Sequence, residues 1–183
     1  MKKLFAIILC LVLAVSLVVT AFAAEAPKMT ITTAKTEVQR GETVDFEISI
    51  NETKDVLMAG IILTYDADVF EFVSGKWDSG IDAIMKDFGD GVSSLASLSP
   101  ITLSGQIMTF TLKVKDTAAF GEATVTGVPS VGGKQIDVEP VTLKVVCTNH
   151  TPVTTTTKEA TCKEAGEKVT TCSVCNEELS KET

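Results

Sequence analysis

Histidine is all but missing from this sequence: His150 is the only one. A nucleophilic triad needs a base beside Ser or Cys, and the single imidazole sits among cysteines near the C-terminus. Aromatic residues are scarce as well, with one Trp (Trp77) and one Tyr (Tyr65), too few for the row of exposed rings that stacks on sugars. No Lys/Arg cluster occurs and the formal charge is −8, which argues against nucleic acid or an anionic membrane as partner. There is no Gly-rich phosphate loop; Gly132-Gly133 reads as a loop signal only. Carboxylates are plentiful, so counting alone leaves paired-acid hydrolysis open. Yet Asp45, Glu47 and Glu71 fall at alternating strand positions that face water. A non-catalytic protein is the reading that remains.

What is present begins with an export signal. Met1-Lys2-Lys3 is a short basic segment, Leu4 to Val19 runs almost without a polar residue, and Ala21-Phe22-Ala23 supplies small residues at the positions a signal peptidase reads. Residues 1–23 are therefore expected to be a signal peptide, making the protein bacterial and secreted or displayed on the cell surface. The alternative is an uncleaved anchor, since the apolar run approaches the roughly 20 residues that span a bilayer. Cys10 lies inside that run with no small residue before it, so lipoprotein processing there is not expected. Removing the segment leaves about 160 residues, enough for one domain with a core and a small appendage.

From 28 to 146 the pattern is that of strands. Val44-Asp45-Phe46-Glu47-Ile48-Ser49-Ile50 alternates, as do Val69 to Val73 and Ile107 to Lys115, each placing its apolar side chains on one face. Turn residues separate these runs at intervals that suit an all-β sandwich. Ile81, Ile84, Met85 and Phe88 stand at helical spacing, which predicts a short helical turn or an irregular loop over one end. In the run 57–65, Ala59, Ile61, Leu63 and Tyr65 share one face, while Met58, Gly60, Ile62 and Thr64 share the other. A face meeting only water should be polar, yet Met58 and Ile62 are not. Either both faces are buried or a loop covers this one, or it awaits a partner.

Several blocks of this region resemble the cohesin domain family: Gly41-Glu42-Thr43-Val44, the stretch Ala59 to Phe72 with its Leu63-Thr64-Tyr65-Asp66 centre, Gly105 to Lys115, and Ala119 to Val125. The resemblance implies a jelly-roll β-sandwich of about nine strands that binds a dockerin module of another secreted protein. It also implies a role in assembling polysaccharide-degrading enzymes, with no cofactor in the sandwich. Dockerins carry the calcium loops, and no Asp-x-Asp-x-Asp-Gly run occurs here. Carried onto this sequence, the partner face falls on Met58, Gly60, Ile62 and Thr64. The family has polar anchors where Met58, Gly60 and Ile62 stand, which implies a more apolar pairing or another use of the fold. Direct binding of polysaccharide and a purely structural spacer are the rival functions. Residues 74–104 match the family poorly.

After Val146 the composition changes. Large aliphatics thin out, Thr and Glu dominate, and Cys147, Cys162, Cys172 and Cys175 appear. Residues 147–183 form a tail in which Thr157 to Cys175 resembles a repeat of gut Firmicutes surface proteins. The chain stops at Thr183 within what would be the repeat's last strand, which reads as truncation or release from the cell. His150 with Cys162, Cys172 and Cys175 would supply one imidazole and three thiolates, the ligand set of a structural zinc site. Two other readings stay open: a disulfide from Cys162 to Cys172 or Cys175, and free thiols in a loosely ordered tail.

Overall fold

The computed structural model describes residues 25–183; the expected signal peptide, 1–23 with Cys10 inside it, lies outside the described residues. Among the described residues the regular structure is all strand. β1 (Lys28–Thr32), β2 (Glu37–Val38), β3 (Thr43–Tyr65), β4 (Phe70–Trp77), β5 (Met85–Gly89), β6 (Val92–Val114), β7 (Gly121–Val131), β8 (Lys134–Gln135), β9 (Asp137–Glu139) and β10 (Val141–Val145) form one hydrogen-bonded system. A second sheet holds β11 (Pro152–Lys158), β12 (Glu167–Cys172) and β13 (Glu178–Glu182).

β3 and β6 span 23 residues each, far longer than the usual strand, because each serves two layers. Their antiparallel pairing is regular from Thr43 to Ile48 and again from Met58 to Ile62, and it slips repeatedly in between. Such slips bend a strand and increase its twist, carrying both chains from one layer into the other. The first layer runs β4, second half of β6, first half of β3, β1, β9. The second runs β5, first half of β6, second half of β3, β7, β10, β2, with β8 beside β7. The outcome is the expected jelly-roll sandwich.

Alternation decides what goes between the layers. Val44, Phe46, Ile48 and Ile50 of β3 are buried, as are Met108, Phe110, Leu112 and Val114 of β6. Phe46 and Phe110 are register partners, and their rings stack 4.8 Å apart at 5°. Each such side chain taken out of water is worth about 1.5–3 kcal/mol. In the second layer Ala59, Ile61 and Leu63 complete the same core.

The helical turn expected around 81–88 does not form. Residues Met85–Gly89 are strand β5, paired antiparallel with Val92–Ala96 of β6. Asp90 and Gly91 close the hairpin with φ of 51° and 77°, the left-handed pair that a two-residue turn requires. Phe88 is drawn inward, 6.2 Å from the Phe110 ring and 5.7 Å from Phe72. Cross-strand pairing and this aromatic contact outweigh a helical spacing too short to nucleate a helix.

Candidate functional site

The outer face of the second layer is set by the second half of β3. Ala59, Ile61 and Leu63 point inward, so Met58, Ile62 and Thr64 point out and are exposed. Neighbouring strands repeat their chemistry. Ile62 lies in register between Val92 of β6 and Val128 of β7, and Met58 beside Ala96, which in turn faces Met85 of β5. Met58 and Ile62 are 52% and 55% exposed, so of the two openings left by the sequence, burial on both faces is not what occurs. Gly60 lies on the same face but is buried, for a Cβ there would run into the Ser93 carbonyl. The Ser93 hydroxyl meanwhile takes the Ile61 N–H at 3.0 Å. Glycine is thus imposed by the close approach of β3 and β6. No strand alternation marks Met85, Val92 and Val128 for this face; the Asp90-Gly91 dipeptide is the sequence signal that pairs β5 with β6.

The outer face of the first layer differs in every row. Glu47, Thr109 and Lys76 lie abreast, then Asp45, Thr111 and Ser74, then Thr43, Lys113 and Glu71. Thr111 donates to Asp45 at 2.6 Å, and Lys113 pairs with Glu71 at 3.3 Å. A shallow groove runs along this face past Trp77 and Asp78. Trp77 itself is buried and donates its indole N–H to the Asp87 carbonyl at 2.9 Å. Tyr65 is half-buried against the core, and burial, with the nearby Asp90 charge, pushes its phenol above the ordinary value. Among the described residues no exposed large apolar side chain is aromatic.

The tail gathers a second site. Cys147 is the second residue after β10, and His150 precedes β11. Pairing of Pro152 with Cys172 lays this segment against the turn after β12, where Ser173 N–H reaches Thr151 at 2.9 Å. In that turn Val174 N–H points at Cys172 Sγ (3.4 Å), and Asn176 N–H bonds the Cys172 carbonyl at 2.8 Å. The ligand atoms of Cys147, His150, Cys172 and Cys175 all lie within 4.8 Å of one another and could hold a metal ion. His150 turns Nδ1 toward Cys175 Sγ at 3.5 Å and Nε2 toward Glu177 at 3.9 Å. The fourth member is therefore Cys147, not Cys162. Cys162 lies in the loop between β11 and β12, and the length of β12, about 17 Å at 3.4 Å per residue, separates that loop from the site. The same distance rules out its linkage to Cys172 or Cys175; all four described cysteines are free.

The thiols differ in ease of ionisation. Burial pushes Cys147 up, helped by hydrogen bonds to Cys175 and Cys172, to about 11. Burial also opposes ionisation of Cys172, but the backbone of Cys175 and Val174, the His150 ring and the backbone of Thr151 outweigh it and hold that thiol at about 6. Cys172 thus takes a negative charge more readily than Cys147.

No curated protein matches the chain. Among solved structures, it resembles the solution structure of CaCohA2 from Clostridium acetobutylicum at 15% identity and a TM-score of 0.50, covering 68% of this chain and 94% of that one. A crystal structure of a CaDoc0917–CaCohA2 complex matches at 15% identity and a TM-score of 0.51, covering 66% of this chain and 99% of that one. The family model described as "Cohesin domain" matches residues 27–174, most of the sequence and all of the sandwich. The chain belongs to the cohesin domain family.

Proposed function

We propose that this protein is an exported, non-catalytic module whose sandwich binds a dockerin-like module of another secreted protein through the outer face of its second layer, so gathering polysaccharide-degrading enzymes. The observation that carries this reading is the contrast between the two outer faces. The three paired rows of the first layer are polar, with Val73 exposed singly at the β4 bulge, whereas the second exposes Ile62 between Val92 and Val128 and Met58 near Met85. Apolar side chains in register on a rigid sheet suit the apolar side of a partner helix. The structure of CaCohA2 with CaDoc0917 and the family membership support the class of partner. Met58, Ile62 and Thr64 would make contact, with Gly60 between them held bare by the close approach of β6. Residues 28–146 are the binding module and 147–183 a separate appendage. The Cys147–His150–Cys172–Cys175 group suits a structural zinc ion, the metal that thiolates and imidazole in a tetrahedral set favour.

Pull-down with dockerins from the same organism tests the partner. Retention at about micromolar Kd, abolished by Ile62→Asp, is the expected result. Retention on insoluble polysaccharide, with no dockerin bound, would favour direct sugar binding instead. The burial of Trp77 and the half-burial of Tyr65 weigh against that alternative.

A further inference from the structure

Strands β11, β12 and β13 have almost nothing inside them. From 147 to 183 the only buried residue is Cys172, and Val153, Val174 and Leu179 are exposed. The small sheet forms no hydrogen-bonded ladder with the sandwich. Three strands without a hydrophobic face do not stand alone in water, and units this small need a staple. Cys172, the one buried side chain, is also the centre of the Cys/His group.

The four ligand atoms lie within 4.8 Å of one another, and one edge of the group already has the length of a tetrahedral centre's. With metal–sulfur and metal–nitrogen bonds of about 2.3 and 2.05 Å, the sulfur–nitrogen edge of a tetrahedron is about 3.6 Å; Cys175 Sγ and His150 Nδ1 stand 3.5 Å apart. The turn bearing Cys172 and Cys175 is fixed by its own backbone, with Cys172 N–H bonded to the Glu177 carbonyl at 2.8 Å and Asn176 in the left-handed region at φ 61°. Val174 N–H adds a donor to the Cys172 sulfur. The other two ligands come from the segment leaving the sandwich, so an ion here would join the exit of β10 to the end of β12.

Resting on the zinc reading of this group, we propose that the ion is what folds residues 147–183. Cys147, His150 through Nδ1, Cys172 and Cys175 take up one zinc, and the three-stranded sheet orders only when they do. The sandwich folds without it. Cys162 is not a ligand.

The test uses the whole secreted chain, reduced, stripped with a strong chelator and reloaded with zinc alone, reading metal content and amide exchange together. About one equivalent should bind, with protection across β11–β13 lost on stripping and restored on reloading while the sandwich is unchanged. Binding below about 0.3 equivalents would overturn the zinc reading and the folding claim with it. Stoichiometric binding with β11–β13 equally protected in the stripped protein would overturn the folding claim alone. Cys147→Ser should abolish tight uptake and weaken the thiolate-to-metal band of the cobalt(II) form, while Cys162→Ser leaves both intact. The reverse pattern would overturn the ligand assignment.

Discussion

Two residues of β3 separate what the strand needs from what its partner would need. Gly60 is held by sterics, since any Cβ meets the Ser93 carbonyl of the neighbouring strand. Gly60→Ala should therefore cost about 1–3 kcal/mol through forced backbone shifts, measured by urea denaturation. Ile62, two positions on, is more than half exposed. Ile62→Asp should leave stability within about 1 kcal/mol while weakening partner association. Phe46, stacked on Phe110 in the core, marks the other extreme, and Phe46→Ala should cost about 3–5 kcal/mol. A small loss for Phe46→Ala, or a large one for Ile62→Asp, would mean the inward and outward faces of β3 are misassigned.

At the scale of the element, the β5–β6 hairpin supplies Met85 and Val92 to the apolar face. Its turn rests on Asp90 and Gly91 in the left-handed region, where an L side chain costs about 1–2 kcal/mol. Gly91→Ala should lower the melting temperature modestly and raise amide exchange first along Met85–Gly89, the outermost strand of its layer. Uniform exchange across all strands would show that the hairpin is not a local unit. This hairpin was also the least legible part of the sequence. Alternation made β3 and the second half of β6 readable, because Val44 to Ile50 and Ile107 to Val114 each bury one face. Ile81, Ile84, Met85 and Phe88 imitate a helix because Met85 faces outward and Phe88 inward in β5, while Ile81 and Ile84 precede it in irregular chain. Similarly, spacing revealed that cysteines gather in the tail, but only the register of β11 on β12 decides that Cys147 joins the group and Cys162 does not.

Across the whole molecule, the two sheets divide the work. The larger one is a sandwich with a continuous apolar core, one outer face polar along its paired rows with Val73 alone exposed at a bulge, and the other apolar along two rows. The smaller one has Cys172 at its only buried point. Calorimetric titration of the protein with dockerins of the same organism tests the central claim, partner recognition by the apolar face, most directly. The claim predicts saturable one-to-one binding at about micromolar Kd or tighter, with a negative heat-capacity change from apolar burial, and at least about a tenfold loss in Ile62→Asp at unchanged melting temperature. Absence of binding to any dockerin, or binding that Ile62→Asp leaves untouched, would contradict it.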